Sequence, residues 1–289
     1  MISGVALVAK PGGPHGPTSH DVVDTVRRAL ATRRVGHLGT LDPSAAGLLV
    51  LVVGRATRLA PFASAWRKAY EGVIRLGTTT ASDDATGEVL ATSEAWRTLD
   101  RRRVEEALAA FRGAYEQRPP AYSAVKVQGE RSYRRARRGE TVTLAPRRVH
   151  VAELELVRFE PPDVAFRATV SGGTYLRSLA RDVGAALGCG AHLAILTRTA
   201  VGPFRLADAV PAGVVTAGDL RDSGELVAEL PRRDLDRGER DAVLHGRPVP
   251  AGNGTRETGH VALFAEGKLV AVAQVVGDLL KARLVVAEE

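Results

Sequence analysis

The chain has 289 residues, 45% hydrophobic and 25% charged, which excludes a disordered polymer and suffices for one large domain plus a small one, or two. Lys and Arg number 40 against 33 Asp and Glu, a formal charge of +7 with a pI near 10.0, so a polyanion such as nucleic acid is favoured over a neutral metabolite. One cysteine, Cys189, excludes an intrachain disulfide framework and a multi-thiolate zinc site and fits a reducing cytoplasm.

The apolar run at residues 5–9 is too short for a signal-peptide core or a membrane span, so a cytoplasmic protein without membrane contact is expected. Thr18 and Ser19 can cap a helix that carries Val22, Val26, Ala29 and Leu30 on one face, with Asp21 placed for a capping box. Residues 48–53 and 70–76 read as strands, the second leading into a polar Thr/Asp/Gly loop. Asp100 caps a second helix with Val104, Leu108 and Phe111 inward, and Gly113 is placed to stop it. Strands fit residues 149–159 and 164–170, and a helix follows with Leu176, Leu179, Ala180 and Val183 on its apolar face. Beyond about residue 212 the chain turns charged and irregular, then ends in strands around 261–264, 269–275 and 280–286, with a hairpin at Glu266-Gly267. Alternation between periods of two and 3.6 indicates a mixed, α+β protein.

The best-marked phosphate-loop, dinucleotide, zinc-hydrolase and acyl-transfer motifs are absent. The seven histidines form no spaced metal cluster. An enzyme here is expected to work with side chains alone, without metal or cofactor. The strongest signal is G-H-L-G-T-L-D-P-S-A-A-G-L-L at residues 36–49, which sets Asp42 in a glycine-bounded turn just before an apolar strand. By local chemistry alone Asp42-Pro43 is a turn initiator. Arg131, Arg134, Arg135, Arg137 and Arg138, followed by Arg147 and Arg148, make a local positive cluster suited to a phosphate backbone. On a helix, Arg131/Arg135 and Arg134/Arg138 would repel at i, i+4 spacing, and a bound polyanion would relieve that strain.

Further segments follow in order: Lys68-Ala69-Tyr70, then 76–80 with Asp83 and Gly87; Q-R-P-P-A-Y-S-A-V-K at 117–126; S-G-G-T-Y-L-R at 171–177; and Ala191-His192-Leu193 with Leu196-Thr197-Arg198-Thr199. Together with residues 36–49 they resemble the TruB-type pseudouridine synthases over roughly residues 10–204. The resemblance implies a mostly antiparallel catalytic domain at 1–211 with a thumb-like RNA-gripping insertion near 117–148, and a small β-rich, PUA-like domain at 212–289. It implies that Asp42 is the catalytic carboxylate, Tyr70 the stacking aromatic and Arg177 the partner of Asp42. His37, Tyr175, Leu196 and Lys10 would contact the substrate, and Lys126, Arg131, Arg134, Arg135 and Arg138 the RNA. The implied partner is the T-arm stem-loop of tRNA, with a monomer as the default state. Two departures stand out: Thr197 replaces an arginine of the pattern, and extra Gly, Pro and His residues lengthen the loop between Lys10-Pro11 and Thr18-Ser19-His20. The alternatives are an RNA-binding or RNA-folding protein with secondary catalysis, and a synthase for a different RNA. The intact Asp and Arg segments favour an enzyme, because binding alone does not require that pair.

Overall fold

The computed structural model describes residues 2–123, 125–127, 129–132, 135, 138, 140, 143–252 and 259–287, with Lys126, Val127 and Arg131 described in backbone only. The order begins β1 (Gly4–Lys10), α1 (Ser19–Ala29), β2 (Val35–His37), β3 (Ala46–Val53), α2 (Ala60–Ala63), β4 (Lys68–Leu76), β5 (Thr78–Thr80), β6 (Val89–Thr92), α3 (Arg101–Ala109) and β7 (Gly113–Gln117). It continues with β8 (Lys126–Val127), β9 (Glu130–Arg131), β10 (Arg147–Glu160), β11 (Asp163–Val170), α4 (Leu176–Ala186), β12 (Ala191–Val201), β13 (Phe204–Arg205) and β14 (Val210–Pro211). The C-terminal part holds β15 (Arg232–Asp234), α5 (Arg237–Leu244), β16 (Val249–Pro250), β17 (His260–Ala265), β18 (Lys268–Val276) and β19 (Leu279–Val285).

Ten strands form a central sheet along the path β14-β1-β3-β12-β4-β11-β10-β7, with β2 on β3 and β13 on β12. Its pairings are antiparallel except β1 with β14 and β3 with β12. A second sheet, β15-β17-β18-β19-β16, is the C-terminal β-rich domain. The two-residue turn between β17 and β18 has Glu266 at φ 51° and Gly267 at φ 76°, the left-handed pair that an antiparallel hairpin needs.

Burial explains why the strands read differently in sequence. One face of β1 and β3, with Ala6, Val8, Leu49, Leu51 and Val53, packs on Val22, Val23 and Val26 of α1. The other face, with Val5, Leu7, Leu48, Val50 and Val52, shares a core with Phe264, Leu269 and Val272 of the C-terminal sheet. Strands covered on both sides give a continuous apolar run. β4 is covered on one side only and alternates: Tyr70, Ile74 and Leu76 join Phe166, Leu179 and Val183 in the core, while Glu71 and Arg75 are exposed. The first helix has its expected N-terminus, with Thr18 and Asp21 in a reciprocal capping box. Two expectations need correction. Helix α3 ends at Ala109, and Gly113, at φ 87°, opens β7 instead of stopping the helix. Residues 191–201, given no secondary structure from the sequence, form β12 at the centre of the sheet.

Candidate active site

Asp42 lies in the loop between β2 and β3, which is braced from below by side chains that donate to its backbone. Arg198, 1% exposed, donates from Nε to the Leu48 carbonyl at 2.8 Å, from Nη2 to Gly39 at 3.0 Å and from Nη1 to Thr40 at 3.3 Å. Lys10 places Nζ 2.7 Å from the Ala45 carbonyl, 2.9 Å from that of Pro11 and 3.0 Å from that of Pro43. The Ser19 hydroxyl donates to the Leu41 carbonyl at 3.0 Å and accepts from the Leu41 N–H at 2.9 Å. The lengthened N-terminal loop packs behind the same turn: the Gly13 N–H donates to the Ser44 carbonyl at 2.9 Å, and a Cβ at Gly16 would stand 2.2 Å from the Pro43 oxygen. Gly47, at φ 112°, lets β3 approach β12, since a Cβ there would lie 2.3 Å from the Arg198 carbonyl oxygen.

Arg198→Met is expected to lower the unfolding free energy by about 2–5 kcal/mol, because a buried acceptor left without its donor costs about 1–3 kcal/mol. Urea denaturation checks this, and an unchanged midpoint would remove the bracing role.

Arg177 stands in the first turn of α4 and grips the Asp42 carboxylate with two nitrogens, Nε to Oδ2 at 2.9 Å and Nη2 to Oδ1 at 3.2 Å. It also donates to the carbonyls of Ser82 at 3.0 Å and Tyr122 at 2.9 Å. Asp84 stands 3.8 Å from its Nε. The Asp84 carboxylate is itself fixed, its Oδ1 accepting from Ser82 Oγ at 2.6 Å, Thr86 Oγ1 at 2.6 Å and the Thr86 N–H at 3.0 Å. Arg177 is thus a buried, multiply held cation, while the Asp42 side chain stays 38% exposed at the mouth. An arginine is disfavoured near the positive end of a helix unless a fixed anion offsets it; here Asp42 is that anion.

The Asp42 carboxyl lies above its ordinary value of 3.8. Burial is the largest cause; the Arg177 charge opposes it, the neighbouring Asp84 charge raises it further, and Lys10 opposes more weakly. Because the folded value exceeds the unfolded one, the ionised form weakens the fold at neutral pH, and that penalty fades as the pH falls through the raised value. Turnover that needs the carboxylate is lost over the same interval. Asp84→Asn removes one raising charge, so the acid limb of kcat is expected at lower pH in that variant. An unmoved limb would show that Asp42 does not feel Asp84.

A narrow cleft opens beside the pair, lined by Asp42, Ser44, Ala45, Asp84, Arg177 and residues 193–196 of β12, and it holds about 10 Å³, the space of one water. Leu196, expected at the substrate pocket, is on this wall; Ile195 beside it is 60% exposed. Tyr70 is 6% exposed, in the core cluster that also holds Leu41 and Ala45. Tyr175 lies outside the cleft wall, clamped by the buried Gln117: its N–H donates to Gln117 Oε1 at 2.8 Å and its carbonyl accepts from Gln117 Nε2 at 3.1 Å. The Arg147 guanidinium stands 5.4 Å from the Tyr175 ring centroid. His37 also lies outside that wall. Its Nδ1 accepts the Gly39 N–H at 3.3 Å, which assigns the ring proton to Nε2. Burial, then the Arg198 and His20 charges, lower its pKa below 6.5, so the ring is neutral at pH 7.

Lys10, read from the sequence as a substrate contact, is 2% exposed and its Nζ lies on three backbone carbonyls, two of them in the Asp42 loop. Burial brings its pKa down to about 8. Lys68 is likewise buried, with a pKa near 8, and holds the carbonyls of Trp66 and Ser64. Ser19, Gln117 and Arg198 lie in segments noted in the sequence but without these roles, and Asp84 in none of them. In the basic segment, Arg135 is paired with Glu140 at 2.6 Å, and Arg138 with Glu130 and Glu140 at 2.7 Å each. Arg135 and Arg138, one member of each i, i+4 pair, thus have local carboxylate partners. Arg134 and the side chains of Lys126 and Arg131 lie outside the described residues.

A braced loop carrying a carboxylate that is clamped by a buried arginine, at the centre of a mostly antiparallel sheet, defines a class of enzyme that the comparisons identify. Residues 27–176 match the TruB family pseudouridylate synthase N-terminal domain, and residues 177–237 the tRNA pseudouridylate synthase B C-terminal domain. The tRNA pseudouridine synthase B of Thermobifida fusca (strain YX) is 46% identical over 288 residues, covering 95% of each chain. That of Solibacter usitatus (strain Ellin6076) is 43% identical over 293 residues, covering 95% of this chain and 96% of its own. The fold is also that of a chain in an H/ACA RNP bound to a substrate RNA containing 2′-deoxyuridine, at TM-score 0.74 and 24% identity over 99% of this chain and 85% of that one. A Cbf5-Nop10-Gar1 complex gives 0.71 and 26% over 99% and 84%. The chain belongs to the TruB family of pseudouridylate synthases.

Proposed function

We propose that this enzyme isomerises a uridine of the T-arm loop of tRNA, uridine 55, to pseudouridine. The observation that carries the reading is the two-point Asp42–Arg177 contact at the mouth of the cleft. Relatives of nearly the same length bear the name tRNA pseudouridine synthase B, which supports tRNA as the substrate.

In this reaction the N1–C1′ bond breaks, the uracil turns, C5 bonds to C1′, the C5 proton leaves and N1 gains one, so no external oxidant or reductant is needed. Asp42 begins as the anion, as nucleophile towards the sugar or base or as base for a sugar proton. Arg177 keeps its oxygens aimed at the substrate. The target nucleotide must leave the RNA stack, which costs about a few kcal/mol. Stacking on Tyr70 offsets part of that, at roughly 1–3 kcal/mol per base. Because the cleft holds about 10 Å³, it must widen as the uracil enters.

His37, whose Nε2–H has no partner among the described residues, is assigned to the bases of the opened loop and Tyr175 to the pocket rim. Lys126, Arg131, Arg134, Arg135 and Arg138 are assigned to the phosphate backbone, in a thumb segment at about 117–148. Residues 1–211 act as the catalytic domain and 212–289 as the part that grips the folded arm, the whole working as a cytoplasmic monomer. The test is to incubate the enzyme with unmodified tRNA and with an rRNA hairpin and to map the modified nucleotide. Product at uridine 55 is expected; product only in the rRNA, or at another tRNA position, overturns the assignment.

A further inference from the structure

We infer that Arg181 is a positioning residue for the reaction: through Asp83 and the Arg118 carbonyl it holds the loop at 82–84 and the segment 118–122 against α4, and so keeps Arg177 aimed at Asp42. The inference rests on the catalytic reading of Asp42 and Arg177 given above.

Residues 177 and 181 stand one turn apart on α4, so their side chains leave the helix on the same face. Both arginines reach the same two segments. Arg177 donates to the carbonyls of Ser82 and Tyr122. Arg181 donates from Nη1 to Asp83 Oδ2 and from Nη2 to the Arg118 carbonyl, each at 2.9 Å. The remainder of its fork is taken by Asp182, whose Oδ1 accepts from Nε at 2.9 Å and from Nη2 at 2.8 Å. Arg181 therefore has a counter-charge on its own helix, and its reach to Asp83 and Arg118 is not needed to neutralise it. What that reach adds is a tie from α4 to two other parts of the chain.

The loop at 82–84 is where a displacement would reach the chemistry. Ser82 supplies a carbonyl that holds Arg177, and Asp84 faces the Arg177 Nε at 3.8 Å and lines the cleft. The backbone of β12 holds the same loop: the Leu193 N–H donates to the Asp83 carbonyl at 3.0 Å, and the Ala85 N–H to the Leu193 carbonyl at 3.1 Å. Between these anchors Asp83 sits at φ 59°, a left-handed conformation that a residue with a side chain keeps where its surroundings fix it. Arg181 supplies that fixed partner, and its charge is the strongest influence opposing the rise that burial causes in the Asp83 pKa. The Arg181 and Asp83 side chains are 29% and 15% exposed, more sheltered than the solvent-screened pairs that contribute little.

The test uses the full chain on unmodified tRNA, native and as Arg181→Gln, Asp83→Asn and the double variant, with kcat and KM measured beside the urea midpoint. Asparagine adopts the left-handed conformation as readily as aspartate, so Asp83→Asn removes the charge and retains the turn. Each single variant is expected to lower kcat by about tenfold, because a small misplacement of a positioned group is costly, with KM within about twofold of native. The double variant is expected to lose no more than the larger single loss, since both changes remove one contact. A shifted urea midpoint with native kcat in the folded variants would show a role in stability alone and overturn the inference. A raised KM at native kcat would assign Arg181 to RNA binding and also overturn it, as would losses that multiply in the double variant. If the native enzyme produces no pseudouridine, the proposed function itself fails and the inference falls with it, whereas native turnover in every variant sinks the inference alone.

Discussion

The Asp42→Asn enzyme is expected to make no pseudouridine while binding unmodified tRNA within about tenfold of the native affinity. The amide keeps the volume of the carboxylate but has no charge with which to attack or to take a proton. The fold should tolerate the change, because Arg177 is not stranded: it keeps its bonds to the carbonyls of Ser82 and Tyr122 and faces Asp84 at 3.8 Å. The cations proposed to bind RNA are untouched. Single-turnover product analysis beside filter binding separates the two properties, and product formation above about one per cent of the native rate would dismiss Asp42 as the reacting group.

For Arg177→Lys we expect kcat to fall by about 10–150-fold or more with little change in tRNA affinity. The native guanidinium holds both Asp42 oxygens and two backbone carbonyls at once. A lysine ammonium is a point donor on a flexible stem and cannot keep that planar, forked arrangement. Loss of a single charge-assisted hydrogen bond is worth about 1.5–3 kcal/mol, which gives the fold-range stated. Native kcat in the lysine variant would mean that charge alone suffices and that the fork has no catalytic use.

Much of the chain could be read without coordinates. The capping box at Thr18 and Asp21, the apolar run of β3 and the alternation of β4 follow from rules that act within a few residues. β12 escaped because it violates those rules: it buries His192 and Arg198 and breaks its alternation with register shifts between Leu193 and Ile195 and between Arg198 and Ala200. A polar residue on a buried position reads as a surface residue until its partner is known. The same reason hid the braces of the site. Ser19, Gln117 and Arg198 mostly bind backbone groups, and a carbonyl carries no residue signature. Asp42 and Arg177 stood out through the resemblance, not through spacing, since 135 positions separate them. At the Thr197 departure, Thr197 of β12 lies opposite Glu71 of β4, while the neighbouring Arg198 holds the Asp42 loop.

The bracing of that loop sets an order of events during synthesis. Its supports come from Lys10 and Ser19 upstream and from Arg198, 150 positions beyond Leu48. A nascent chain that has emerged only as far as β11 possesses the aspartate and its upstream supports but neither the Arg177 clamp nor the Arg198 brace. The emerging chain thus stays inert until α4 and β12 have followed, and chains truncated before residue 198 should be silent rather than partly competent.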